Sequence, residues 1–143
     1  ATYHTALGRR PPPVLGSDRD PRAVTGSRRN LEAAGLGRFS SIRQADALTT
    51  EAPGTPGLVV VNPPYGERLK GGGDLAVLYN ELGKTLHHSY SGWRAAILCG
   101  SKELAKAVGL RAEKLHTLYN GPLRCTLARF ELSPSNRWRP LTQ

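Results

Sequence analysis

Gly57-Leu58-Val59-Val60-Val61-Asn62-Pro63-Pro64-Tyr65 is an apolar run that stops at a polar, proline-stiffened tetrapeptide. Three consecutive valines favour extended backbone, and a short unbroken apolar run predicts a buried parallel strand. Strands of that kind belong to open α/β sheets, whose ligands lie at the carboxyl ends of the strands. Asn62 begins where such a strand ends. It offers two acceptors, its side-chain carbonyl and its backbone carbonyl. Pro63 and Pro64 stiffen the loop, and Tyr65 gives an aromatic face on which a planar base stacks. An ordinary proline-rich turn would share these residues, so the tetrapeptide is weighed with its surroundings.

Upstream, Val14-Leu15-Gly16-Ser17 predicts a short strand. Pro21 suits the first turn of a helix running to about Ala34, with Gly35 as its stop. Residues 39 to 45 alternate weakly and predict a further strand ending at Asp46. Downstream, Leu75, Leu78, Tyr79, Leu82 and Leu86 form a helical stripe over residues 75 to 90. Residues 93 to 99 predict a buried strand. Ser101 then caps a short helix over residues 102 to 108, stopped by Gly109. Asn120-Gly121-Pro122 predicts a reversal between strands at residues 113 to 119 and 123 to 132. Gly71-Gly72-Gly73 follows the tetrapeptide and reads as a flexible loop. Strands alternating with helices and closed by an antiparallel pair predict a doubly wound, three-layer α/β domain with a mostly parallel sheet. It spans residues 14 to 132. An extended lead-in, residues 1 to 13, precedes it, and a polar tail, residues 133 to 143, follows and is expected to lie on the surface or fray.

A chain of 143 residues, 38% hydrophobic, suffices for one domain and is too short for two full cores. No apolar run is long enough to cross a bilayer, and the amino terminus lacks a signal-peptide pattern. Cys99 and Cys125 lie in strand patterns without metal-site spacing, which predicts buried thiols of a reducing compartment rather than a disulfide. The isolated histidines and the absence of a phosphate-binding glycine loop of the Walker type give no sign of zinc, a nucleophile triad or nucleotide hydrolysis. Twenty basic against 11 acidic residues give a net charge of +9. Such a balance attracts a phosphate backbone, although general arginine enrichment would produce it too. Arg137 and Arg139 flank Trp138 near the end.

Asn62-Pro63-Pro64-Tyr65 resembles the catalytic motif of amino-methyltransferases that use S-adenosylmethionine. The longer run through Gly66-Glu67-Arg68-Leu69 resembles the large-subunit ribosomal RNA guanine-N2 methyltransferases. Gly16-Ser17-Asp18-Arg19-Asp20-Pro21-Arg22-Ala23-Val24, with Arg29-Asn30 and Ala33-Ala34-Gly35-Leu36, is similar to that branch's second strand and helix. Tyr119-Asn120-Gly121-Pro122-Leu123 is similar to its closing hairpin. Three separated motifs in one order are more specific than any one of them.

The resemblance implies a partial Rossmann-like class I methyltransferase fold, S-adenosylmethionine as cofactor, ribosomal RNA as partner, no metal and a cytoplasmic setting. It implies that Asn62, Pro63, Pro64 and Tyr65 form the catalytic loop, and that Asp18, Asp46 and Asn62 line the donor site. Asp18 would accept from the donor's ribose hydroxyls, with helix capping as its alternative and Asp20 as the better capping residue. Asp46 would contact the adenine amine, with a turn-forming role as its alternative. Glu67 and Arg68 would position substrate or pair with each other. The family's first strand and glycine-rich motif find no counterpart here, and no methionine stands at Ala1. The chain is therefore expected to be the later part of a catalytic domain, inactive in isolation. Adenine N6, a protein glutamine amide, and a non-catalytic RNA-binding fragment are the competing readings.

Overall fold

Pro21 and Asp20 set the first helix of the chain. Proline fixes the backbone angle of a helical first turn, and the Asp20 carboxylate accepts from the Arg22 amide at 2.9 Å. In the computed structural model, which describes residues 12–54, 56–65 and 74–141, this helix α1 spans Pro21–Ala33. It connects strand β1, Val14–Asp18, to strand β2, Ser40–Gln44. The two strands pair in parallel, from Val14 opposite Ser40 to Asp18 opposite Gln44. Gly35 ends α1 with a φ of 73°. Phe39, expected in β2, instead closes a 3-10 turn over Gly37–Phe39, and a second such turn spans Ala47–Thr49. The described residues up to Thr49 form one compact unit, and those from Thr50 onward form another.

The second unit contains strands β3 (Leu58–Val61), β4 (Arg94–Cys99), β5 (Lys114–Asn120) and β6 (Leu123–Glu131). Helix α2, Leu75–Ser89, connects β3 to its parallel neighbour β4, and helix α3, Lys102–Ala107, follows β4. The strand order is β3-β4-β6-β5. The last strand therefore lies inside the sheet, antiparallel to both β4 and β5. Parallel pairing thus holds for β1–β2 and β3–β4, and the antiparallel closure takes two ladders. The β5–β6 turn is the two residues Gly121-Pro122, with Asn120 opposite Leu123 and Gly121 at φ 60°. A glycine with positive φ at the first central position matches the twist of the flanking strands.

The α2 stripe behaves as its spacing predicts, with Tyr79, Leu82 and Leu86 buried. Ala95, Ile97 and Cys99 of β4 and Cys125, Ala128 and Phe130 of β6 are buried as well. Removing a leucine-sized side chain from water contributes about 1.5–3 kcal/mol. Helix α3 packs on α2, β4 and β6. Its crossing with α2 is close because residue 83 is glycine: a Cβ there would collide with the Val108 carbonyl.

One expectation changes. β3 is not fully buried: Leu58 is 62% and Val60 67% exposed, while Val59 and Val61 are half-buried. Among the described residues of its unit β3 is an edge strand, bonded on one side only, and nothing covers its second face. Residues 133–141 of the tail follow the surface and are fastened to it. The Asn136 side chain, buried, donates to the Arg111 and Glu131 carbonyls and accepts from the Arg111 amide, each at 2.9 Å. Buried Asn80 donates to the Ala107 and Arg139 carbonyls at 3.0 Å and accepts from Leu141, while Trp138 donates to the Asn80 carbonyl. Apart from Pro12 and Pro13, the expected lead-in lies outside the described residues, as do Gly66 to Leu69 and the three-glycine run.

Candidate active site

The β3–β4 pair sets the position of the Asn62–Tyr65 loop. Val61 lies opposite Ile97, so Asn62 emerges at the carboxyl rim that β4 reaches at Cys99 and Gly100. Asn62 is exposed, Pro63 is buried, Pro64 is exposed and Tyr65 is half-buried. The buried ring anchors the chain while Asn62 faces solvent. Proline 64 supplies no amide hydrogen, but its carbonyl accepts from the Tyr79 hydroxyl at 3.1 Å. Burial, with Cys99 next in weight, raises the Tyr79 phenol above its ordinary range. Tyr79 therefore stays protonated and remains a donor.

Tyr65 is held at both ends. Its Cβ rests on Gly100, where an added Cβ would meet Tyr65 Cγ at 3.0 Å. At the other end of the ring, Asn120 Nδ2 donates to the Tyr65 hydroxyl oxygen. The tip of the β5–β6 hairpin thereby reaches the loop that follows β3. With root and tip both fixed, the ring offers a set plane for stacking. Cys99, one residue before Gly100, contributes no nucleophile. Burial first, then Cys125, pushes its thiol up to about 12, and both cysteines are free and buried.

Asp18 and Asp46 come together at the carboxyl rim of the β1–β2 pair. The Ala45 amide, beside Asp46, donates to the Asp18 carbonyl at 3.1 Å. Asp18 is exposed, and its Oδ1 accepts from the Asp20 amide at 2.8 Å. Capping of α1 falls to Asp20, as expected. Asp46 Oδ1 accepts from the Leu48 amide at 2.9 Å, so Asp46 does form the turn that was its alternative role. Each carboxylate thus uses Oδ1 locally. These two aspartates belong to the first unit and the Asn62–Tyr65 loop to the second.

Three residues of this arrangement carry no assigned role in the sequence reading. Tyr79 stands there as one member of an apolar stripe. Its hydroxyl is the available signal, because a buried phenol needs a hydrogen-bond partner. Asn120 stands inside a hairpin motif that names no partner for its side chain. Gly100 carries no signal beyond following a strand.

Known proteins share this architecture. The crystal structure of SMU.472, a putative methyltransferase complexed with SAH, superposes with a TM-score of 0.74 at 32% identity, over 82% of this chain and 31% of that one. The fold is that of the class I methyltransferases. Residues 3–129 match the RMKL-like methyltransferase domain, and the chain belongs to that family. It is 51% identical over 128 residues to ribosomal RNA large subunit methyltransferase K/L of Legionella pneumophila subsp. pneumophila, covering 87% of this chain. It is 45% identical over 129 residues to the protein of the same name from Methylococcus capsulatus, covering 90% of this chain. The chain spans 18% of the length of each of these two relatives.

Proposed function

We propose that the protein containing this chain transfers a methyl group from S-adenosylmethionine to the N2 amine of a guanine in large-subunit ribosomal RNA. The observation that carries this reading is the Asn62–Tyr65 loop, fastened by Tyr79, Gly100 and Asn120. The names of the relatives support ribosomal RNA as substrate, and the SAH in SMU.472 supports the donor. The residues suit that donor: Asp18 and Asp46 are exposed carboxylates, each oriented by one local amide. Asp18 would accept from the ribose hydroxyls and Asp46 from the adenine amine. When bound, S-adenosylmethionine supplies an already activated sulfonium methyl.

What the chain contributes is orientation. A guanine N2 lone pair is delocalised into the ring, so the amine attacks poorly unless it is aligned. The Asn62 side-chain and backbone carbonyls accept from the amine N–H groups and stabilise the positive charge that develops on nitrogen. Tyr65 stacks on the base once it has left its helix. No covalent enzyme intermediate is required.

The test is mass spectrometry of ribosomal RNA from a strain lacking the gene, with in vitro transfer by the full-length protein. Loss of one N2-methylguanosine, restored by the protein, is the expected result. An unchanged N2-methylguanosine content with loss of N6-methyladenine or of methylated glutamine would move the assignment to the competing acceptors.

A further inference from the structure

Arg137 and Arg139 are set apart from the catalytic loop and acquire a definite setting in the fold. With Lys106 and Arg111 they border a groove of about 670 Å³ between α2, α3 and the segment after Leu132. Among the described residues none of the four has a carboxylate within 4.0 Å, and Glu103 is the one acidic residue lining the groove. Four cations and one carboxylate around one concavity leave a positive excess that favours a polyanion. The groove is also preorganised. Asn80, Asn136 and Trp138 hold its backbone through the hydrogen bonds described above. The Trp138 indole is already engaged, donating to the Asn80 carbonyl with Lys84 above its ring. No aromatic side chain lines the groove itself. Cations without a stacking face suit phosphates rather than bases, and arginine matches phosphate geometry through paired N–H donors.

We propose that this groove binds the sugar–phosphate backbone of the RNA substrate at a place separate from the catalytic loop. No residue of the Asn62–Tyr65 loop lines it. One helix serves both places, since Tyr79 holds Pro64 while the next residue, Asn80, holds the groove wall. The groove acts independently of base sequence and adds affinity, whereas the target base is selected at Tyr65. This inference rests on the ribosomal RNA reading above.

The experiment uses the full-length protein and a large-subunit ribosomal RNA fragment, with affinity measured by fluorescence anisotropy across a salt series. Replacing Arg111, Arg137 and Arg139 together by Gln should weaken binding at least tenfold at low salt. The slope of log affinity against log salt should shrink by roughly 0.7–0.9 for each phosphate that is no longer neutralised. The corresponding triple Lys variant should retain most of the affinity. A melting transition at the parent temperature checks folding. If the triple Gln variant melts early, Arg137→Gln alone carries the test with one such step in slope, because that side chain makes no hydrogen bond or ion pair among the described residues. Equal affinity and slope in a folded variant would overturn the proposal, as would weakened binding of an acidic polypeptide with RNA affinity intact. Asn62→Ala separates the two readings. A parent that neither binds nor methylates ribosomal RNA overturns both. A parent that binds and methylates, with Asn62→Ala binding but not methylating and the Gln variant binding normally, overturns the groove alone.

Discussion

Asn120 donates a hydrogen bond from Nδ2 to the hydroxyl oxygen of Tyr65, joining residues 55 positions apart. One ends strand β5 beside the hairpin turn, the other lies in the loop after β3. Two motifs that are separate in the sequence therefore form one piece of the candidate site.

Removing that bond should loosen the Tyr65 ring without unfolding the protein, since Asn120 lies at an exposed hairpin end. Asn120→Ala in the full-length protein should lower kcat/KM for RNA by roughly 2–13-fold, matching a net hydrogen-bond contribution of about 0.5–1.5 kcal/mol. Tyr65→Phe removes the same bond from the other side. The double variant should then be little worse than either single one, a coupling that a cycle of kcat/KM values measures directly. Fully additive losses would mean that the bond does not act on catalysis.

Asn62→Ala should abolish most methyl transfer while donor affinity, measured by calorimetry, stays near the parent value. The loss is expected at about 2.7–4 kcal/mol of transition-state stabilisation, by analogy with removing one preorganised oxyanion-hole donor. Near-normal turnover would show that Asn62 does not face the reacting amine.

Gly83→Ala should destabilise the protein. In an exposed helix interior the same change gains about 1 kcal/mol of helix propensity. Here the added methyl would collide with the Val108 carbonyl, and overpacking typically costs about 1–3 kcal/mol. Urea unfolding decides which effect wins. A raised midpoint would mean that the α2–α3 crossing relaxes freely.

Alkaline pH should erode stability beginning near pH 9. The Cys99 thiol rises from its ordinary 9.0 to about 12 in the fold, so the folded chain keeps a proton that the unfolded chain releases. A raised folded value gives stability that is complete below the unfolded value and is lost as pH climbs towards the folded one. Tyr79, raised above its ordinary 10.0 by burial, acts in the same direction. Melting temperatures from pH 8 to 11 should fall, with a shallower decline in Cys99→Ala. A flat profile would contradict the buried, protonated thiol.

Much of this structure is legible in the sequence alone, because its elements are locally encoded. The α2 stripe, the Asp20 and Ser101 caps, and Gly109 at φ 81° all depend on a few neighbouring residues. The exposure of Leu58 and Val60 is not legible there, since composition reports a tendency to be covered and not the presence of a cover. Fastening of the last segment escapes for a related reason. Asn80 and Arg139 are 59 positions apart, and a polar residue in an apolar stripe does not name its distant partner. In the candidate site, Asn62 to Tyr65 announce themselves by type and placement. Tyr79 and Asn120 acquire their importance only from folded distances.

The strand order has a consequence for the birth of the protein. β4 leaves the ribosome before its inner neighbour β6 exists, and at roughly 5–20 residues per second the gap lasts on the order of seconds. Through that interval one edge of β4 lacks the strand that will occupy it, leaving a template for stray pairing with other nascent chains. Residues 123–131 act as the keystone of an arch. Until they arrive, Asn120 has no hairpin to carry it to Tyr65, so the Tyr65 ring is fixed at its tip only after β6 has been made.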